Sequence, residues 1–362
     1  MRRLTVGLTV GALAVGLSAG PALACGGLIG RNGSVNLVRT TTLAAYHDGV
    51  EHYVTSFEFA GAGGEFGSII PLPDVPSDVQ RGGDWTLQRL VREVRPPLAP
   101  VALARATAAE SADRAEVLLE TRIDALDLTV LRGGAQAVGR WATDHGFLLT
   151  PDAPEVLEFY AQRSPIFLAA RFDADAARQR GVALGDGTPV HLTIPTDNPW
   201  VPLRILALGR QPAERVDADV FLLTPNRPVL LPGNDAPGMT LERQERASAG
   251  LLADLRSDKG MEWVPESAWL TYLRVQAAPA ELTYDLAVDA SGAGQPSRTA
   301  AGLDLPAGAA FEAGGDGGGG LPWLLLAGGG LALLVLLAAV AWVATGNRPG
   351  GSPSPGPGAV AR

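Results

Sequence analysis

The sequence has 362 residues, 46% of them hydrophobic, which is enough for one large or two ordinary domains with their own cores. This composition excludes a disordered chain. The formal net charge of −9 and the absence of any cluster of Lys and Arg argue against a nucleic-acid partner, because phosphate binding requires a clustered excess of basic side chains.

The N-terminus has the pattern of a secretory signal. Two arginines precede an uncharged run over residues 4–17, and small residues ending in Ala22-Leu23-Ala24 follow it. The run is too short to span a bilayer comfortably, so we predict that residues 1–24 are removed. The mature chain then begins at Cys25, the only cysteine, which excludes an intramolecular disulfide. Three roles stay open for Cys25: lipid attachment, an intermolecular disulfide, or an incidental packed thiol.

Residues 25–291 are predicted to form an extracytoplasmic domain. Its clearest element is a β-hairpin, in which residues 43–47 and 50–54 flank Asp48-Gly49, a pair typical of a type I′ turn. Asp84 is a favourable N-cap for a following helix, whose apolar face carries residues 87, 90, 91 and 94.

Further elements follow from periodicity and from the positions of proline and glycine. Strands outnumber helices without regular βαβ alternation, so the predicted fold class is α+β with a mostly antiparallel sheet. We predict one or two strands over residues 115–130, a helix over 134–145, a helix led by Pro154, strands at 165–172, 190–194, 201–208 and 220–223, and up to two strands over 273–288.

The C-terminal part is predicted to anchor the protein in a membrane. Residues 292–320 have the Gly-rich composition of a flexible tether. Residues 321–344 are long and apolar enough for one transmembrane helix, and Trp323 and Trp342 lie near its two ends. The tail, residues 345–362, contains arginines and no acidic residue, so it is predicted to be cytoplasmic and the domain external.

No catalytic motif is evident. Outside the predicted signal peptide, the sequence contains no G-x-S-x-G elbow, H-E-x-x-H pair, phosphate loop or C-x-x-C pair, and it predicts no catalytic or cofactor-binding residue and no cofactor. His47 and His52 are weak candidates for a metal site. The turn places both imidazoles on one sheet face at roughly 7 Å, with Glu51 on the other. No third ligand is evident, whereas catalytic zinc requires three, so an exposed hairpin tip is the favoured interpretation.

The other two histidines have simpler interpretations. His145 ends a predicted helix, where a cationic side chain suits the helix dipole. His191 alternates with apolar residues in a predicted strand and has no evident carboxylate partner, so it is interpreted as structural. The tryptophans at 141, 200, 263 and 269 are compatible with a sugar-binding cleft, although core packing is the more common role of such residues.

Several segments together resemble one bacterial family. They are Ala-Cys-Gly-Gly at 24–27, TTTLAAYHDGVEHYVTSFEF at 40–59, FGSIIPLP at 66–73, GGDWTLQRL at 82–90 and WVPLRI at 200–205. In this order they are similar to the Domain of Unknown Function 2330 family, from the signal cleavage site to about residue 290. The resemblance implies an exported protein, in some cases with a C-terminal anchor, and it implies no activity, ligand or site residue.

The sequence therefore predicts a single-pass membrane protein with its domain outside. Our first hypothesis is a non-catalytic module that binds a protein or a glycan of the envelope. The alternatives are an envelope hydrolase or metal-dependent enzyme that uses His47 and His52, and a structural spacer.

Overall fold

A computed structural model of the chain describes six stretches: residues 27–30, 36–60, 66–95, 116–173, 188–234 and 236–304. The predicted signal peptide, Cys25, membrane helix and tail lie outside these residues. Within the described stretches, no helix combines the length and the apolar character needed to cross a bilayer.

The predicted hairpin is confirmed and is longer than the sequence pattern indicated. Strand β2 (Asn36–His47) pairs with β3 (Val50–Ala60) in antiparallel register. Asp48 and Gly49 have φ angles of 53° and 75°. Positive φ at both central positions defines the type I′ turn, which matches the twist of the flanking strands. The turn pairs His47 with Val50, and this pairing sets the register of the neighbouring residues in the two strands.

The described residues form a sheet-rich α+β fold. The predicted class is confirmed, because nearly all strand pairs are antiparallel and the pair formed by β2 and β11 is parallel. The remaining strands are β1 (Gly27–Gly30), β4 (Phe66–Leu72), β5 (Asp78–Arg81), β6 (Glu116–Ile123), β7 (Leu126–Arg132), β8 (Ile166–Phe172), β9 (Val190–Pro195), β10 (Trp200–Val201), β11 (Val216–Thr224), β12 (Val229–Leu231), β13 (Met239–Arg246), β14 (Trp269–Ala277) and β15 (Leu286–Asp289). The α-helices are α1 (Thr86–Val94), α2 (Ala135–Asp144), α3 (Ala153–Ala161) and α4 (Ala249–Ser257).

Three sheets are present in the described part of the chain. The largest has the strand order β13-β14-β11-β2-β3-β9-β5. A five-stranded sheet has the order β1-β4-β8-β7-β6, and a small sheet has the order β10-β15-β12. The β2–β3 hairpin therefore lies in the middle of the seven-stranded sheet, where both faces are covered.

The two faces of the seven-stranded sheet contact different hydrophobic cores. Successive side chains of a strand point to opposite faces, so Ala44 and Tyr53 enter one core while Leu43 and Val54 enter the other. We call the first face inner, because its core includes residues of the five-stranded sheet and of α2 and α3. The outer face packs against apolar residues of α1 and α4.

Residues 201–208 do not form the predicted strand. After the short β10, residues Arg204–Ala207 form a 3₁₀ helix. The buried carboxylate of Asp285 accepts hydrogen bonds from the backbone N–H groups of Leu203 (2.6 Å) and Arg204 (2.9 Å). The next N–H, of Ile205, donates to the hydroxyl of Tyr160 at 2.8 Å. These long-range bonds use the backbone donors that a strand would need for its ladder.

The same carboxylate is paired with a buried arginine. Asp285 is fully buried, and it accepts hydrogen bonds from the guanidinium of Arg163 and from the hydroxyl of Tyr160. The guanidinium also lies over the rings of Phe159 and Trp200, at 4.3 and 4.7 Å from their centroids. A buried charge is tolerated when it is paired and hydrogen-bonded in this way. The network joins α3 to the start of β15.

The N-terminus of α1 is capped by a distant residue instead of Asp84. The carboxylate of Asp258 accepts the backbone N–H groups of Asp84, Trp85 and Thr86 at 2.8–3.0 Å. These are the donors that a helix start leaves without intrahelical partners. Gly83 makes room, because a Cβ there would lie 2.3 Å from a carboxylate oxygen of Asp258. The prediction of Asp84 as N-cap was therefore wrong.

The fold continues beyond the predicted end of the domain. Ala301 is fully buried, and its carbonyl accepts the backbone N–H of Asp285 at 3.0 Å. The carbonyl of Ala300 accepts a hydrogen bond from Arg163. Two residues of the predicted tether, Ala300 and Ala301, thus contact the domain, and the sequence composition does not reveal these long-range contacts. The predicted tether beyond residue 304 lies outside the described residues.

Candidate functional site

Three of the four histidines meet on the outer face of the seven-stranded sheet. The hairpin register pairs Ala45 with His52, so His47 and His52 share a face, as predicted. Strand β9 then pairs with β3, and Val54 faces His191. His191 therefore lies diagonally beside His52 on the same face. We call His47, His52 and His191 the imidazole row.

The rings of the imidazole row lie side by side. The ring centroids of His47 and His52 are 5.0 Å apart, and those of His52 and His191 are 5.2 Å apart, with interplanar angles of 20° and 27°. Nδ1 of His52 is 3.0 Å from Nε2 of His191, a hydrogen-bond distance. On the far side of the row, the side-chain amide nitrogen of Gln80 is 3.2 Å from Nδ1 of His191.

The indole of Trp263 covers the imidazole row. It stacks on His52 with a centroid distance of 4.1 Å and an interplanar angle of 6°. Its distances to the rings of His191 and His47 are 5.1 and 6.4 Å. Trp263 belongs to the segment between α4 and β14, which Asp258 fastens to the start of α1. The helix cap therefore also positions the aromatic cover.

With the amide nitrogen of Gln80 facing His191, the hydrogen bonds assign one tautomer to each of two histidines. The amide nitrogen of Gln80 can only donate, so Nδ1 of His191 is the acceptor and its Nε2 carries the proton. That proton is donated to Nδ1 of His52, which leaves the proton of His52 on Nε2. The side chain of Gln80 thus orders the imidazole row from one end.

The buried part of the imidazole row is uncharged at neutral pH. Burial lowers the pKa of His52 to about 3, with smaller contributions from repulsion by His191 and His47. Burial also lowers the pKa of His191 to about 4, against a smaller raising effect of Asp78. Neutral imidazoles keep a lone pair on one ring nitrogen, and this lone pair can accept a proton or bind a metal.

The favoured interpretation of an exposed hairpin tip is not supported by this geometry. His52 is 8% exposed and His191 is 1% exposed, while the side chain of His47 is 26% exposed. His191 is a third histidine on the same face, beside the predicted pair. Among the described residues, however, no group of three or more His, Cys, Asp or Glu side chains is already arranged to hold a metal ion.

Glu51 lies on the opposite face of the same hairpin, as predicted. Its side chain is buried, and neither carboxyl oxygen makes a hydrogen bond of good geometry. Burial raises the pKa of Glu51 to about 8, and the nearby backbone of Trp200 offsets this effect only in part. The carboxyl group is therefore mainly neutral at pH 7, and it lies on the other side of the sheet from the imidazole row.

The remaining candidates occupy separate positions. His145 follows α2 as its C-cap, and its Nδ1 lies 2.7 Å from the carbonyl of Trp141, which agrees with a helix-terminal role. Trp141 stacks on His145, Trp200 stacks on Tyr160, and Trp269 contacts Arg246. Trp263 is the member of the predicted tryptophan set that covers the imidazole row.

Sequence reasoning missed His191, Gln80 and Trp263 as members of one site. The alternation in β9 showed that His191 points to one face, but it could not show that β9 pairs with β3. Trp263 lies in a connecting segment that has no periodicity. The local signal was limited to His47 and His52, which one tight turn brings together.

This fold and site define a class of protein: a sheet-rich α+β domain with a covered imidazole row on the outer face of its largest sheet. A family model described as "Uncharacterized protein conserved in bacteria (DUF2330)" matches residues 19–288. The chain belongs to this family, which confirms the resemblance recognised in the sequence.

Other comparisons give little further information. Among curated proteins, none matches the sequence of this chain. The solved structures similar to it include baculovirus P35, with 9% identity over 71% of this chain and 97% of the other, at a TM-score of 0.38. A mutated baculovirus P35 after caspase cleavage has 8% identity over 69% and 99%, at a TM-score of 0.35. At such low scores and identities, the similarity does not define a shared fold.

The buried carboxyl group predicts a pH dependence of stability. The pKa of Glu51 is higher in the folded chain than its ordinary value of 4.5. Between these values the folded state holds more protons than the unfolded state, so stability falls as pH rises. We expect Glu51→Gln, which keeps the shape but cannot ionise, to reduce this decline by up to about 1.4 kcal/mol per pH unit. Urea unfolding of the full-length chain between pH 6.5 and 8.5 measures this pH dependence of the free energy of unfolding.

Between pH 6.5 and 8.5, the ionisation of the buried histidines does not contribute to the change in stability. Since the folded-state pKa values of His52 and His191 are lowered, their effect has the opposite sign and lies below pH 6.5. Glu266→Gln is the matched control, because Glu266 is exposed. Parallel pH profiles for the wild type and Glu51→Gln would show that Glu51 ionises as freely in the folded chain as in the unfolded chain.

Proposed function

We propose that this chain is a membrane-anchored, extracytoplasmic binding protein whose ligand site is the imidazole row under Trp263. The observation that carries the proposal is a set of polar atoms without protein partners inside an aromatic cluster. Nε2 of His47 and Nε1 of Trp263 are both buried and make no hydrogen bond to the described residues. A buried polar atom without a hydrogen-bond partner destabilises the folded chain. A ligand that forms a hydrogen bond with this atom removes the penalty.

The cluster is also accessible at one end. His47 is the outermost member of the imidazole row and retains partial exposure, whereas His191 at the other end is buried. A ligand would therefore reach the site past the Asp48-Gly49 turn. Rigid strands hold the histidines, and a connecting segment supplies the cover, which is a common arrangement for a binding site.

Anchoring and orientation are supported by the sequence. Residues 1–24 have the pattern of a secretory signal, and residues 321–344 have the length and composition of a single membrane span. The arginines after this segment favour a cytoplasmic tail. In this proposal the binding domain lies outside the membrane, where an envelope protein or glycan, or a smaller ligand, reaches it.

The topology can be tested in intact cells. We expect the full-length chain to stay in the membrane fraction after carbonate washing and to be cleaved by protease added outside. Deletion of residues 321–362 should release the domain in soluble form. The matched control deletes only residues 347–362, which should leave the protein in the membrane. Recovery of the full-length chain in the cytosol, protected from external protease, would refute the proposed location.

The binding role can be tested by native mass spectrometry of the full-length chain extracted from its own membranes. We expect the wild type to carry a non-covalent ligand and Trp263→Leu to lose it, because the indole covers the site. Trp269→Leu is the matched control, since Trp269 contacts Arg246 and not the imidazole row. A wild type without bound mass, or equal occupancy in all three proteins, would contradict the proposal and favour a structural spacer.

A further inference from the structure

The imidazole row brings two ring nitrogens from two different strands next to each other. Nδ1 of His52 and Nε2 of His191 are 3.0 Å apart. Two nitrogens that bind one zinc ion at 2.0–2.1 Å in tetrahedral geometry lie about 3.3–3.4 Å apart. Metal binding would require the pair to open by about 0.3–0.4 Å on the same estimate, the two rings to tilt so that both lone pairs point at the ion, and the bridging proton to leave Nε2 of His191.

We propose that the imidazole row binds one divalent transition-metal ion through Nδ1 of His52 and Nε2 of His191, with Nε2 of His47 as the third ligand. This inference rests on the proposed binding function and names the chemical class of its ligand. Imidazole nitrogens suit Zn²⁺ and Cu²⁺, and the general order of affinity for divalent ions places Cu²⁺ above Zn²⁺.

Gln80 is suited to stabilise both the empty and the metal-bound form. In the empty form its amide nitrogen donates to Nδ1 of His191, and the proton of His191 is on Nε2. Metal binding at Nε2 requires that this proton move to Nδ1. Rotation of the amide by half a turn then presents its oxygen as the acceptor for Nδ1–H. A hydrogen-bond acceptor on the second nitrogen of a metal-bound histidine orients the ring and raises its basicity.

His47 supplies the third nitrogen in this proposal. Its Nε2 makes no hydrogen bond to the described residues and its side chain is partly exposed, so turning the ring toward the pair breaks no hydrogen bond of Nε2. The carboxylate of Asp48 is 3.5 Å from Nδ1 of His47. A proton on Nδ1 is favoured by this carboxylate and leaves the lone pair of Nε2 for the metal. Three imidazoles leave a fourth position open for water or a second ligand.

The indole of Trp263 also suits a cation. Its π face lies over His52 and adds an attraction for positive charge.

The experiment is isothermal titration of ZnCl₂ and of CuCl₂ into the full-length chain, purified without a histidine tag and stripped with chelator. We expect one equivalent of either ion to bind to the wild type. His52→Gln and His191→Gln should each weaken binding at least tenfold, and His47→Gln should weaken it to a smaller extent. Folding of each variant is checked by circular dichroism.

His145→Gln is the matched control, because His145 caps α2 and lies outside the imidazole row. Its affinity should equal that of the wild type. Gln80→Glu should strengthen binding, because a carboxylate is a better acceptor for Nδ1–H of His191. Two results would overturn the proposal: no stoichiometric binding to the wild type, or equal weakening by His145→Gln and His52→Gln.

The outcome can be separated from that of the broader binding function. If native mass spectrometry finds an organic ligand that Trp263→Leu loses, and neither metal binds, the metal proposal fails while the binding function stands. If neither a metal nor any other ligand is bound, both fail. Quenching of tryptophan fluorescence by bound Cu²⁺ in the wild type, but not in Trp263→Leu, would place the ion beside the indole.

Discussion

The structure of the site depends on one constraint, the type I′ turn at Asp48-Gly49. With two residues of positive φ, the turn fixes which side chains of β2 and β3 share a face. A slip of one residue would move His52 to the inner core and Glu51 to the outer face. The imidazole row, its contact with β9 and its indole cover all require the observed register.

The hairpin separates two kinds of buried ionisable group. On both faces burial favours the neutral form, so the acid Glu51 keeps its proton and the bases His52 and His191 remain without a second one. Asp285 shows the other solution, because a buried arginine and several hydrogen bonds surround it. His47, Glu51 and Trp263, by contrast, keep buried polar atoms without a hydrogen bond of good geometry to the described residues.

Local elements were predictable from the sequence, and long-range contacts were not. The hairpin, α1, α2 and β8 follow from turn residues, proline and glycine positions and periodicity close in the chain, although the cap of α1 comes from the distant Asp258. The sequence pattern at 201–208 predicts a strand. In the structure, backbone N–H groups of this segment donate instead to Asp285, about 80 residues later in the chain. The same limit applies to the site: His47 and His52 are joined by one turn, whereas His191 and Trp263 arrive through strand pairing and a helix cap from distant positions.

The most direct measurement is long-range ¹H–¹⁵N correlation NMR of the histidine ring nitrogens in the metal-free, full-length chain. The account predicts that His52 and His191 are neutral at pH 6, with the proton of each on Nε2 and Nδ1 as the acceptor. They should stay neutral down to about pH 5, while the same residues in the urea-unfolded chain titrate near 6.5. Protonated imidazolium signals for His52 and His191 at pH 6 would contradict the account.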